Sequence, residues 1–167
     1  ARPRFQTIYD CIPDDDIFLS NPIKKMLDVG QAMLEGEFAY HKGEFEAGFA
    51  HLREAVARDD ALNYTEPWAW MHPPRHALGA LLCEQGQYDE AMRVFREDLG
   101  LVKGVARCSQ HPENIWALRG LYDCVLKTGT PDEAMDLLAR LNEVQSYADQ
   151  SISAACCCAN HAGSLGT

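Results

Sequence analysis

Apolar and polar positions along this chain recur with a helical period, and over a longer distance they recur as whole blocks. From Gln85, the stretch QGQYDEAMRVFREDL sets Tyr88, Ala91, Met92 and Phe95 three and four residues apart with charged residues between them. That is the pattern of a helix with one buried face. KGEFEAGFAHLREAV from Lys42 and TGTPDEAMDLLARLN from Thr128 repeat the pattern. Gly43, Gly86 and Gly129 are spaced 43 residues apart, as are the small residues Gly48, Ala91 and Ala134 and the large apolar residues Leu52, Phe95 and Leu138. Self-similarity with such a period is the mark of a repeat architecture.

Each repeated helix follows another. Asn21-Pro22 opens the first of these, with Met26, Leu27, Met33 and Leu34 for its apolar face. Pro73 or Pro74 opens the second, running through Leu78, Leu81 and Leu82, and Pro112 opens the third, with Trp116, Leu118, Leu121 and Val125. The glycine between the helices of each pair suits a left-handed turn. Thr130-Pro131-Asp132-Glu133 reads as a capping box with proline at the first helical position. The expectation is an all-α chain. An irregular, Asp-rich lead over 1–21 caps one end; three helix-turn-helix units follow at about 22–60, 72–102 and 111–149, and a Cys-containing tail covers 150–167.

These residues resemble tetratricopeptide repeats. Gly36 with Gly43, and Gly79 with Gly86, match that family's seven-step pair of small or turn residues; Tyr88, Ala91 and Phe95 match its second-helix signature, and Phe45, Gly48 and Leu52 echo it. The resemblance covers about residues 22–149 and is strongest in the second unit. Here the period exceeds the usual 34 by nine residues, which follow the second helix of units one and two. Asp60 stands where a proline is usual. Tyr122 stands where a glycine is expected and Gly120 comes two positions early, which predicts a first helix in unit three about one 3.6-residue turn longer at its start.

The resemblance implies a helical-hairpin solenoid of about three repeats with long connections, similar to the C-terminal part of larger tetratricopeptide proteins. One hairpin cannot bury its own apolar face, so hairpins stack. The first helices then line a concave groove. The repeat frame places Glu37, Tyr40 and His41 there from unit one, His76, Cys83 and Glu84 from unit two, and Arg119, Asp123 and Lys127 from unit three.

Composition narrows the partners. The chain is 47% hydrophobic and 24% charged with a formal charge of −10, as in globular proteins. Without a basic stripe, that balance argues against nucleic acid and against anionic membrane surfaces. No apolar run approaches the ~20 residues of a membrane span. Seven cysteines, three of them consecutive at 156–158, make a poor disulfide framework, so a reducing, cytoplasmic home is expected.

Two stretches carry candidate chemistry. EPWAWMHPPRH, residues 66–76, offers Trp68 and Trp70 as stacking surfaces, His72 and His76 four apart, and Glu66 with Arg75 as charge partners. It reads either as a ligand wall or as a loop whose aromatics pack onto the hairpin. The second stretch holds Cys108 and His111; with Cys124, Cys156 and Cys158 these could ligate zinc or copper, or the thiols could simply be small apolar residues. No nucleophile elbow, Cys–His signature or phosphate loop is present. The expected function is therefore a non-catalytic module, without a cofactor, that binds a protein or peptide along the groove, with residues 66–72 as one lip. The alternative is a small-molecule- or metal-binding protein, conceivably an enzyme, with its pocket near 66–76 and 108–124. Self-association through the repeat ends is a third expectation.

Overall fold

In the computed structural model, which describes residues 2–156, each repeated segment is the second helix of a helical hairpin. The elements run α1 (Arg2–Asp10), β1 (Ile17–Phe18), β2 (Asn21–Pro22), α2 (Ile23–His41), α3 (Phe45–Asp60), α4 (Pro74–Glu84), α5 (Tyr88–Asp98), a 3-10 turn (Arg107–Ser109), α6 (Ile115–Thr128) and α7 (Pro131–Gln145). The protein is all-α apart from one two-residue antiparallel pairing, Ile17 with Pro22 and Phe18 with Asn21. None of the described helices is long and apolar enough to cross a membrane. The chain divides into two compact units after Pro74, within the first turn of α4.

In the first unit α2 packs on α3 through a glycine contact. A Cβ on Gly48 would sit 3.0 Å from the Gly36 carbonyl oxygen, and one on Gly36 would sit 2.7 Å from Leu52 Cγ. Small residues at these positions let the two backbones touch, while Phe49, Leu52 and Ala55 are fully buried around them. The lead, expected to be irregular, contains helix α1. None of its residues is buried, so no apolar period announced it. It is tied to α2 by polar contacts instead: Arg2 Nε donates to Glu35 Oε1 at 2.7 Å and Tyr9 Oη donates to Asp28 Oδ1 at 2.7 Å. The Asp28 hydrogen bond, aided by burial, pushes the Tyr9 phenol up to about 12.

The second unit is organised around Phe95 of α5, which is fully buried. A Cβ on Gly79 of α4 would lie 2.6 Å from Phe95 Cζ, and one on Gly120 of α6 would lie 2.2 Å from the same atom. The ring therefore fills the space left by two missing side chains on neighbouring first helices. This explains the displaced glycine of the third unit. Gly120 faces Phe95 of the preceding hairpin, whereas Tyr122 lines an apolar cleft of about 400 Å³ between α6 and α7, together with Leu126, Met135 and Leu138.

The helix ends correct two expectations. Pro112 does not open α6; Asn114 does, its Oδ1 accepting from the amides of Trp116 at 2.9 Å and Ala117 at 3.2 Å. With 14 residues against 11 for α4, α6 is longer by nearly the expected turn, though not entirely at its start. Gly43 and Gly86 adopt the left-handed turn, at φ +82° and +73°, but Gly129 is at φ −88° and extended. Thr130 precedes Pro131, which disfavours helical backbone before it, so the third turn leaves α6 extended and restarts at the Thr130 cap. The Thr130 hydroxyl accepts from the Glu133 amide at 3.3 Å, while the Glu133 carboxylate accepts from Arg96 at 2.5 Å.

Gly120→Ala is expected to cost about 1–3 kcal/mol through overpacking against Phe95, although alanine is intrinsically the better helix former by up to ~1 kcal/mol. Urea unfolding checks this, and adding Phe95→Leu should recover part of the loss. A Gly120→Ala variant as stable as the parent would show that the ring has room to move.

Candidate functional site

The residues placed on first helices by the repeat frame fall into different environments, beginning with α2 in the first unit. Tyr40 is buried, its ring edge-on to Phe45 at 5.0 Å and to Phe49 at 5.8 Å, so it belongs to the hairpin core and not to an open groove. His41 is exposed. Glu37, one turn before it, is half-buried and has no ion-pair partner among the described residues. Burial pushes its carboxyl up, with His41 acting weakly in the other direction.

The connection after α3 is held by an asparagine clasp. Asn21, 1% exposed, donates through Nδ2 to the Asn63 carbonyl at 2.9 Å, and its Oδ1 accepts from the Asn63 amide at 2.7 Å. Asn63 Nδ2 in turn donates to the Ser20 carbonyl at 2.7 Å. The clasp fixes the root of the loop that carries the tryptophans. Trp70 then wedges onto α2: its Cη2 lies 2.5 Å from where a Gly30 Cβ would be, and its Nε1 reaches Met33 Sδ at 3.2 Å. Trp70 is thus a packing residue, made possible by a glycine to which the sequence pattern gave no role. Trp68 and His72 remain exposed on this loop. Glu66 accepts a hydrogen bond from Tyr64, and Arg75 lies 3.7 Å from Glu97.

In the second unit, His76 on α4 is only 3% exposed. It was expected to face a groove, but its Nε2 meets Asp98 Oδ2 at 3.0 Å, while His111 Nδ1 meets Asp98 Oδ1 at 2.8 Å. Asp98 is fully buried at the end of α5. With the carboxylate ionised, both ring nitrogens donate to it. Burial works to push Asp98 up, but hydrogen bonds from His111 and His76 outweigh it and hold the carboxyl below its ordinary value. The backbone adds a link, with the His111 amide donating to the Asp98 carbonyl. One carboxylate therefore joins α4, the end of α5 and the connection that leads into α6.

Asp98 was missed in the sequence, although a signal was there. One 43-residue step away on either side stand Ala55 and Leu141, both buried. An acid at a position that the other repeats keep apolar announces a buried partner.

The α6 face carries a ladder of charges. Arg119 Nε donates to Asp123 Oδ2 at 3.0 Å, both side chains about one-third exposed, and Lys127 is exposed one turn on. Glu84 is exposed at the end of α4. The thiols suggested as metal ligands do not share one place: Cys108 is exposed in the 3-10 turn, His111 is engaged by Asp98, and Cys124 is buried on α6. Cys156 is disulfide-bonded, which commits its sulfur, and Cys158 lies outside the described residues. Among the described residues no group of three or more His, Cys, Asp or Glu is arranged to hold a metal ion. Clefts lie between α6 and α7 and between α1 and α2.

Successive helical hairpins with glycine-mediated contacts define a helical-repeat protein. Residues 84–146, from the end of α4 through α7, match the tetratricopeptide repeat family model, and that segment is a tetratricopeptide repeat region. No curated protein sequence is significantly similar to it.

Two predictions follow from the buried carboxylates. Asp98→Asn is expected to destabilise the protein by about 3 kcal/mol, as when one partner of a buried pair is lost. Because the folded pKa of Asp98 is lowered, its stabilisation is present above the unfolded-state pKa and is lost as pH falls through the folded value. The gap between variant and parent in urea midpoints should therefore narrow in strong acid. Glu37 has the opposite sign. Its folded pKa is raised, so ionisation costs stability as pH rises through that value. Glu37→Gln should be more stable than the parent at neutral pH, and the gain should vanish in acid.

Proposed function

We propose that this protein is a non-catalytic interaction module and that the α4–α6 face of its second unit binds an extended peptide segment of a partner protein. The observation that carries this reading is the tetratricopeptide match over residues 84–146, since such repeats generally mediate protein interactions. The chemistry of the face supports it. A part-exposed Arg119–Asp123 pair four residues apart contributes only ~0.2–0.5 kcal/mol within the helix. A ligand carboxylate can therefore take over the Arg119 guanidinium at little cost and gain a two-pronged, charge-assisted contact. Lys127 on the next turn extends the positive edge, while Asp123 and Glu84 offer acceptors to a basic residue of the same peptide. Separately, in the first unit, half-buried Glu37, without an ion-pair partner among the described residues, is an acceptor for an ammonium or guanidinium group. Its burial is a stability cost that such a ligand would offset. The His76–Asp98–His111 cluster, with all three members buried, acts as a joint and not as an acid–base site.

Selection from a displayed peptide library, followed by titration calorimetry, tests the proposal. Selected peptides should bind the parent, and Arg119→Glu should weaken them tenfold or more, about 1.4 kcal/mol, with an unchanged far-ultraviolet dichroism spectrum. Equal affinity in a folded Arg119→Glu variant would remove the α6 face from the binding surface.

A further inference from the structure

Cys83 and Cys124 are used neither by the Phe95 core nor by the Asp98 joint, yet the fold brings them together. Gly79 and Gly120 both abut Phe95 Cζ, which puts the α4 and α6 backbones within side-chain contact at that level. One turn further along each helix, four residues on, stand Cys83 and Cys124. The repeat register and the glycine contact therefore predict facing thiols, and each thiol is the neighbour that most strongly perturbs the other. Both are free thiols; Cys83 is half-buried and Cys124 is buried.

The surroundings make the two sulfurs unequal. The hydrogen bond from Cys124 holds Cys83 below the ordinary thiol value; burial and the Asp123 carboxylate act against this, and Lys127 acts with it. The same contact, together with burial and Asp123, pushes Cys124 up. A thiolate-prone, reachable sulfur beside a protonated, sheltered one is the arrangement of an attacking thiol and a resolving thiol.

We propose that Cys83 and Cys124 form a thiol–disulfide exchange site that takes low-molecular-weight disulfides of the oxidised-glutathione type and closes a covalent bridge between α4 and α6. The Cys83 thiolate attacks one sulfur of the disulfide, forming a mixed disulfide and releasing one small thiolate. Cys124 gives its proton to that thiolate and attacks Cys83 Sγ. The Cys83–Cys124 bond forms, and the second small thiolate leaves and takes a proton from water. Two protein thiols are oxidised while one disulfide is reduced to two thiols.

The test uses reduced full-length protein at low concentration, treated with oxidised glutathione, blocked with N-ethylmaleimide and mapped by mass spectrometry of unreduced tryptic peptides. Arginines at 93, 96, 107 and 119 and the lysine at 103 place the two cysteines on separate peptides. The expected main product is a linked Cys83–Cys124 peptide pair that dithiothreitol reverses. In Cys124→Ala the reaction should stop with glutathione on Cys83, and in Cys83→Ala the thiol of Cys124 should stay unmodified. The exposed Cys11 and Cys108 report in every sample that the reagent is active. Glutathione on Cys11 and Cys108 without the linked pair would overturn the proposal, as would direct modification of Cys124 in a folded Cys83→Ala variant. The parent result decides the matter even if a variant loses its dichroism spectrum.

Discussion

The second unit depends on a single ring. Phe95 has glycine on both sides, Gly79 from its own hairpin and Gly120 from the next, and nothing larger fits at either position without moving the ring or a helix. In this repeat class a large residue on the second helix and a small one on the first helix are the two halves of one contact. Here the large half is shared by two first helices, which sets both the closeness of α4 to α6 and the position along each helix at which they meet. That register also sets where Cys83 stands relative to Cys124 and to the neighbouring Asp123 and Lys127.

Around the ring, polar groups do what apolar burial alone cannot. Non-directional packing would let a 43-residue repeat slide or rotate; the Asp98 carboxylate, bonded on one oxygen to His76 and on the other to His111, permits one arrangement of α4, α5 and the approach to α6. The same division of labour holds in the first unit, where Gly36 and Gly48 set the closeness of the helices and the hydrogen bonds of Asn21 set where the long connection begins. In both units the residues beyond the ordinary repeat length are anchored by side-chain hydrogen bonds, joined in the first unit by the packing of Trp70 against Gly30.

Much of this was legible in the sequence because stacking needs the same residue sizes in each repeat. Gly48, Ala91 and Ala134 announced the second helices, and the proline and glycine signals placed most of the boundaries. Features that depend on one repeat differing from the others were not legible from the pattern. The position of Gly120 looked like a defect of the third unit because its partner lies in the second. Asp98 drew no notice at the end of a charged helix, and only its comparison with Ala55 and Leu141 betrays its burial. His76 was assigned to a groove because the frame says which face a residue occupies, not whether another side chain already covers that face. Helix α1 escaped notice because ion pairs and hydrogen bonds, not apolar spacing, hold it. Trp70, which the sequence reads either as part of a ligand wall or as a packing aromatic, is decided by a neighbour that is almost nothing, the hydrogen on Gly30.

The asparagine clasp also bears on chemical ageing. Asparagine side chains are lost over time when the next residue's backbone nitrogen attacks the amide and closes a five-membered imide, and that attack requires an N–H. Asn21 is followed by Pro22, which has none. Conversion of Asn21 to aspartate would set an uncompensated negative charge at a site 1% exposed, facing the Asn63 carbonyl it now satisfies. The proline that leads into α2 therefore also closes the commonest route by which the clasp of the first unit could decay.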